Sequence, residues 1–401
     1  MSQHFETQAV RTQLERSQHK EHSAPIYMTS SYKFDDAEEM RALFTGEQEG
    51  NIYSRYANPN VDEFITKMAI LEGTEDGWAT ATGMAAIFTT FMTFLKQGDH
   101  VLSSRSVFGS THQLLHNIFP KWGITYSYAD LDKTEEWEKL IQPNTKIIYV
   151  ETPSNPGIDI IDLEWLGNFA RKHGVMLVVD NCFATPYLQQ PIKYGADLSI
   201  HSATKFIDGQ GRALGGIILG RGELIREIEG FARHSGPALS PFNSWLLSKS
   251  LETLAVRMDR HCESALKVAI ALEGNPEVEL VKYPFLPSHP QYEIAKKQMK
   301  AGGGIITFVP KGGLQRAAKF LDALKMFSIS ANLGDTRSIA THPASSTHSK
   351  LTEEQRNEVG IEQGTIRLSI GLEHVDDILA DVEQALEASI LVPEEQFSTS
   401  N

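Results

Sequence analysis

The stretch Val175-Met176-Leu177-Val178-Val179-Asp180 decides the fold. An unbroken apolar run with no polar alternation predicts a strand buried on both faces, and the carboxylate that closes it marks the strand's mouth. Working outward, Ala196-Asp197-Leu198-Ser199-Ile200 and Gly216-Ile217-Ile218-Leu219 read as later strands, and His100-Val101-Leu102-Ser103 and Ile147-Ile148-Tyr149-Val150-Glu151 as earlier ones. Between two of them, Asp162–His173 places Leu163, Leu166 and Ala170 on one helical face. Strands alternating with helices predict an α/β chain whose mainly parallel sheet is covered on both sides. In such sheets ligands bind at the carboxyl ends of the strands.

The rest of the chain frames this region. Residues 1–59 are polar and irregular and read as an arm. Residues 60–250 form the large domain, beginning with a helix that repeats Phe64, Met68 and Leu71 and stops at Gly73. Residues 251–401 read as a C-terminal domain with a long helix, strands at Ile305-Ile306-Thr307-Phe308 and Thr365-Ile366-Arg367-Leu368-Ser369, and a last helix from Val375 to about Ser389.

A length of 401 residues with 41% hydrophobic content suits two domains. A net charge of −14 excludes nucleic acid as a partner, since neutralising phosphates requires a basic footprint. No apolar run approaches the roughly 20 residues that span a bilayer. The N-terminus carries no signal-like segment, and the 2 cysteines fit a reducing cytoplasm.

Polar residues collect where the strands end. Ser202-Ala203-Thr204-Lys205 offers two hydroxyls that can hold a phosphate and an amine that can form an imine with an aldehyde, although such a tetrapeptide also occurs in plain loops. Asp180 either caps the segment before Ala184-Thr185 or faces a cation such as a protonated pyridine nitrogen. In Ala81-Thr82-Gly83-Met84-Ala85-Ala86 the glycine lets a phosphate approach free N–H groups at a helix start, or merely permits tight packing. Two prolines in Glu151-Thr152-Pro153-Ser154-Asn155-Pro156 fix a loop that presents Asn155 to a phenolate oxygen or makes a simple turn.

Each signal is modest; four of them at strand ends of one sheet point to pyridoxal phosphate (PLP). No cluster has metal-ligand spacing. His201 and Cys182 read as packing residues, His342 and His348 as loop residues. Gly209-Gln210-Gly211-Arg212-Ala213-Leu214-Gly215 misses the dinucleotide fingerprint because its third glycine comes one residue late. That argues against a nucleotide-binding oxidoreductase.

With Tyr53-Ser54-Arg55-Tyr56-Ala57-Asn58-Pro59 added to these motifs, the chain from about Ala24 to Glu387 resembles the Cys/Met-metabolism family of fold-type-I PLP enzymes. The resemblance implies a large domain with a mainly parallel seven-stranded sheet and a smaller α+β C-terminal domain. It makes Lys205 the Schiff-base lysine, with Asp180 on the ring nitrogen and Asn155 on the phenolate side. It puts Gly83, Met84, Ser202 and Thr204 around the phosphate, with Tyr53 and Arg55 reaching in from a neighbouring subunit of a homotetramer built from two dimers. Arg367 matches the residue that grips the substrate's α-carboxylate. Ser338 matches the loop serine that helps position Lys205 and the substrate's carboxylate, and with Arg367 and Asn155 it makes up the substrate-binding set.

One departure matters: Phe108 stands where the family usually has a stacking tyrosine. It keeps the ring face and lacks the hydroxyl, which leaves Lys205 to move both the Cα and the Cβ proton. Phe108, Asp208-Gly209-Gln210-Gly211-Arg212 and Ser235-Gly236-Pro237-Ala238-Leu239-Ser240-Pro241-Phe242-Asn243 look most like the O-succinylhomoserine sulfhydrylases. The expected reaction is γ-replacement with sulfide to give homocysteine and succinate in methionine biosynthesis. Cystathionine γ-synthase (cysteine as the sulfur donor), O-acetylhomoserine sulfhydrylase and the cystathionine and methionine γ-lyases are the alternatives.

Overall fold

The apolar run that ends at Asp180 becomes a strand, Met176–Asp180, in which Leu177, Val178 and Val179 are fully buried. Its two faces belong to different cores. Val178 packs with Ile147, Ile200 and Phe91 on one side, and Leu177 and Val179 with Ile148, Leu163 and Leu166 on the other. This double burial is why the sequence shows no polar alternation there. The computed structural model describes residues 3–390 apart from 132, 347, 348, 350–352, 354, 355 and 357–360.

Seven strands make the first sheet: β1 (Asp76–Thr80), β2 (His100–Ser104), β3 (Thr125–Ala129), β4 (Thr145–Glu151), β5 (Met176–Asp180), β6 (Leu198–Ser202) and β7 (Gly216–Gly220). Their spatial order is β1-β7-β6-β5-β4-β2-β3. Strands β2 to β6 are mutually parallel. β7 runs antiparallel to both β6 and β1. The link from Ser202 to Gly216 contains no helix, and without a crossover helix β7 returns antiparallel.

The helices that cover the sheet follow from local chemistry. Leu163–His173 is capped by Asp162, whose carboxylate accepts from the N–H groups of Glu164 and Trp165, and it ends at Gly174 with φ 63°. Gly83–Phe94 is capped by Thr82, whose hydroxyl accepts from the Ala85 N–H. Pro59–Glu72 has proline in its first turn and stops at Gly73.

A second sheet holds β8 (Val278–Lys282), β9 (Ile305–Pro310), β10 (Ser328–Ile329), β11 (Ile339–Thr341) and β12 (Ile366–Ser369), in the order β10-β11-β12-β9-β8. The helices Leu254–Glu273, Gly313–Ala323 and Val375–Ala388 pack against it around Phe308, Phe320 and Leu368. No helix among the described residues is long and apolar enough to cross a membrane.

Candidate active site

The strand ends of the first sheet converge on a cavity of about 300 Å³, at the lower end of the size range of small-molecule sites, about 300–1,000 Å³. Gly83 and Met84 enter from the helix start after β1, Phe108 from the turn after β2, and Glu151 and Asn155 from the end of β4. Asp180 ends β5, and Ser202, Thr204 and Lys205 follow β6. The second sheet closes the space with Arg367 on β12 and with Ala331 and Leu333 from the loop after β10.

At the helix start, Thr82 satisfies the N–H groups of Ala85 and Ala86 through its side chain and its carbonyl. The N–H groups of Gly83 and Met84 have no partner among the described residues. A Cβ on Gly83 would lie 2.6 Å from the Ser202 Cβ, so the helix start and the β6 end are in direct contact. Free N–H groups at the positive end of a helix, beside the uncommitted Ser202 hydroxyl, suit a phosphate. Thr204 faces the same cavity, but its hydroxyl already exchanges hydrogen bonds with the backbone of Gly215, at 3.1 and 3.3 Å.

Asp180 is buried and accepts from the Tyr149 hydroxyl at 3.2 Å and from the Cys182 N–H at 3.0 Å. Asp180 does not cap the helix Thr185–Leu188, which begins at Ala184 without a side-chain cap; its carboxylate closes a local turn onto the Cys182 N–H and lines the cavity. Burial pushes its carboxyl up to about 6, against the pull of the Cys182 N–H, His201 and Tyr149. Glu151 sits beside it in register on β4 and accepts from the Phe108 N–H at 2.8 Å. Burial and the neighbouring Asp180 hold the Glu151 carboxyl well above the usual carboxylate range. A positive ring nitrogen would relieve this crowding of negative groups.

Lys205 donates to Asn332 Oδ1 at 2.7 Å. Burial draws its ammonium below the ordinary lysine value, Cys182 opposing and Arg367 adding to the effect; this favours the free amine that an imine requires. Arg367 is 1% exposed. It donates to Asn155 Oδ1 at 2.9 Å and to the Asn332 carbonyl at 3.2 Å, while its Nε has no partner. No carboxylate among the described residues pairs with it, and burial draws it down to about 10 against the pull of Glu151. A buried guanidinium without an anion is costly unless a ligand supplies one.

Over residues 6–387 the chain matches the family described as Cys/Met metabolism PLP-dependent enzyme. The chain belongs to that family. It is 49% identical over 384 residues to an O-succinylhomoserine sulfhydrylase of Pseudomonas aeruginosa, covering 96% of this chain and 95% of the other. An L-methionine gamma-lyase of Pseudomonas putida is 44% identical, over 91% of this chain and 92% of that one. A solved chain from Campylobacter jejuni, described as an O-acetylhomoserine (thiol)-lyase, superposes with a TM-score of 0.93 at 37% identity, over 96% and 99% of the two chains. That structure carries N′-pyridoxyl-lysine-5′-monophosphate. The family's cofactor is PLP, and the donors around this cavity fit it: free N–H groups for the phosphate, a carboxylate for the ring nitrogen and an uncharged-leaning amine for the aldehyde.

Three residues expected at a family site lie away from this cavity. Ser338 is held by Glu373, which accepts from its N–H at 2.7 Å and its hydroxyl at 2.9 Å, and it also accepts from the Gly371 N–H. The side chain that reaches Lys205 is instead Asn332, for which no motif in the sequence provides a signal. Tyr53 is 41% exposed on the arm. Arg55 packs on Tyr56 and donates to the Arg233 carbonyl, and it does not line the cavity of its own chain.

His201 is buried against Glu72 at 2.9 Å and serves the core, as expected. His342 caps a short turn and hydrogen-bonds Ser345 and the Gln363 carbonyl, while His348 lies outside the described residues. Cys182 packs against the core, as expected, and also lines the cavity, and burial pushes its thiol up, away from the nucleophilic thiolate. No group of His, Cys, Asp and Glu among the described residues could hold a metal ion.

Proposed function

We propose that the chain catalyses γ-replacement on O-succinylhomoserine with sulfide, yielding homocysteine and succinate. The observation that carries this choice among the family's reactions is the 49% identity, across 96% of the chain, to an O-succinylhomoserine sulfhydrylase. Phe108 in the stacking position agrees with it.

Bound PLP supplies an aldehyde for the substrate amine and a ring that accepts carbanion electrons. The chain's own groups do the rest. Gly83, Met84 and Ser202 hold the phosphate, Thr204 shapes the same wall, and Asp180 keeps the ring nitrogen charged. Phe108 would offer its ring face to the bound group. Arg367, with its unpartnered Nε, takes the substrate's α-carboxylate, and Asn155 braces both Arg367 and the phenolate side.

Lys205, steadied by Asn332, would remove the Cα proton and then a Cβ proton. The C–O bond at Cγ breaks and succinate departs with its electron pair. Hydrosulfide forms the new C–S bond, and Lys205 returns the protons. Phenylalanine at 108 cannot share this proton traffic.

Two subunits complete each site in this reading, with the exposed Tyr53 and Arg55 reaching the phosphate of a partner in a dimer of dimers. The enzyme works in the cytoplasm, where its two free cysteines stay reduced. Residues 1–59 serve as the arm, 60–250 as the cofactor domain and 251–401 as the domain that carries Arg367.

The test is product analysis. The purified enzyme is given O-succinylhomoserine or O-acetylhomoserine, each with sulfide or with cysteine. Homocysteine from the succinyl ester and sulfide, lost in Lys205→Ala, supports the proposal. Cystathionine as the faster product would overturn it in favour of a γ-synthase. The 44% identity to a methionine gamma-lyase favours a second reading, which faster release of 2-oxobutyrate without any thiol acceptor would establish.

A further inference from the structure

The cavity contains one carboxyl that the proposed mechanism does not use. Glu151 ends β4 opposite Asp180 and is 3% exposed. Its Oε2 accepts from the Phe108 N–H at 2.8 Å, and the Asn155 N–H also faces it. The helix Gly109–Gln113 that begins at Phe108 has no side-chain cap of its own. In a capping box, a glutamate inside the helix reaches back to the N-cap N–H. Here Glu151 makes that contact from a different strand, so the turn that presents the aromatic ring is anchored to the sheet instead of to its own helix.

Both loops tied to Glu151 bear on the site. Phe108 lines the cavity with its ring, as does Phe183, and Asn155 accepts from Arg367 at 2.9 Å. We propose that Glu151 is a positioning residue of the cofactor cavity, a buried carboxyl that joins the Phe108 turn to the Asn155 loop and fixes the spacing between the aromatic wall and the arginine wall. The charged and titratable groups around it are Asp180 on β5, Cys182 just after that strand, Arg367 on β12 and Tyr149 on its own strand. Asp180, with its two hydrogen bonds, is the member of the pair committed to a cation. Glu151 then acts as a neutral acceptor of backbone N–H groups, which agrees with its raised carboxyl.

The inference rests on the cofactor site and not on the identity of the ester. The holoenzyme is compared with Glu151→Gln, Glu151→Asp and Glu151→Ala. Gln keeps a carbonyl acceptor at full reach without charge; Asp keeps the carboxyl but loses one methylene of reach; Ala removes the acceptor. The readouts are visible circular dichroism of bound PLP, which reports ring orientation, the pH dependence of its visible absorbance, and kcat separately from KM with whichever ester the enzyme accepts.

Glu151→Gln is expected to keep the dichroic band and to stay within about threefold of wild type in kcat. Glu151→Asp and Glu151→Ala should weaken the band and lower kcat about tenfold, the rate equivalent of one lost buried hydrogen bond, with KM nearly unchanged. If Glu151→Ala does not fold, Glu151→Asp decides. A wild-type band and kcat in Glu151→Asp overturn the proposal. So does a Glu151→Gln enzyme as impaired as Glu151→Ala with a shifted absorbance profile, because the charge and not the reach would then be what matters. Failure of every ester while the band responds as described would overturn the proposed reaction and leave this inference intact.

Discussion

Replacing Gly83 with alanine tests the contact on which the phosphate end of the cavity depends. The added Cβ would lie 2.6 Å from the Ser202 Cβ and 2.9 Å from both its Cα and its Oγ. Comfortable carbon–carbon contact is about 3.5–4.0 Å, so the shortfall is about 1 Å. Neither side yields easily. Gly83 begins a helix capped by Thr82, and Ser202 ends a strand held between β5 and β7. Overpacking of this kind costs about 1–3 kcal/mol.

The strain falls where the N–H groups of Gly83 and Met84 and the Ser202 hydroxyl meet, so it should appear in cofactor affinity as well as in stability. If all of it is expressed there, the dissociation constant for PLP rises about 5- to 150-fold. The assay is paired: apoenzyme unfolding by denaturant, and PLP titration followed by absorbance. Gly230→Ala is the control, because nothing lies within 4 Å of a Cβ at that helical position. It should be neutral or stabilising by up to about 1 kcal/mol. A Gly83→Ala enzyme with wild-type stability and wild-type PLP affinity would refute the contact as drawn.

Three further outcomes are expected. Asn332→Ala removes the 2.7 Å acceptor of Lys205; a hydrogen bond to a charged group contributes about 1.5–3 kcal/mol, so kcat/KM in steady-state assays should fall about 10- to 150-fold, and an unchanged value would count against the assigned role. Asp180 has a folded value of about 6 against an ordinary 3.8, so its burial lowers apoenzyme stability as pH rises between those values, with the full cost above about 6. Asp180→Asn should therefore gain on wild type in apoenzyme denaturation as pH rises through that window, while binding PLP more weakly; a pH-independent difference would sink the argument. Glu72→Ala strands His201 and the hydroxyl of Ser199 in the core, which should cost about 3–5 kcal/mol in denaturant unfolding, and a loss below about 1 kcal/mol would contradict the buried pairing.

What the sequence could disclose depended on how local the cause was. The strand ending at Asp180 is buried on both faces, so its composition alone revealed it. β1 and β3 went unread for the opposite reason. Asp76-Gly77-Trp78-Ala79-Thr80 contains a glycine and an acid, and Thr125-Tyr126-Ser127-Tyr128-Ala129 lies at an edge with half-buried tyrosines. Neither has the apolar run of a central strand.

Lys205 and its hydroxyl neighbours were legible because they are consecutive. Asn332 was not, because its approach to Lys205 needs a loop of the second sheet to pass over the first. Gly334 permits that approach: a Cβ there would come 2.6 Å from the Phe206 nitrogen and 2.9 Å from the Lys205 carbonyl carbon. Ser338 attracted attention as a loop serine, yet Glu373 claims it from 35 residues away in sequence. Glu151 was read only as the end of a strand and the start of a proline loop, since its partners depend on which strands become neighbours.

The groups around the cofactor space follow the strands of the first sheet, whereas the guanidinium awaiting an anion belongs to the second, more than 160 residues downstream of Lys205 (Arg367 against 205). Colour and choice are therefore separable traits. Under the proposed roles, changes on β12 around Arg367, apart from the Asn332 loop that touches Lys205, would retune which amino acid is admitted while the chromophore stays as it was, and changes near Gly83 would bleach the protein without touching the gate. A screen by eye for yellow colonies would pass every variant of the first kind, so only a growth or product assay could find a new substrate.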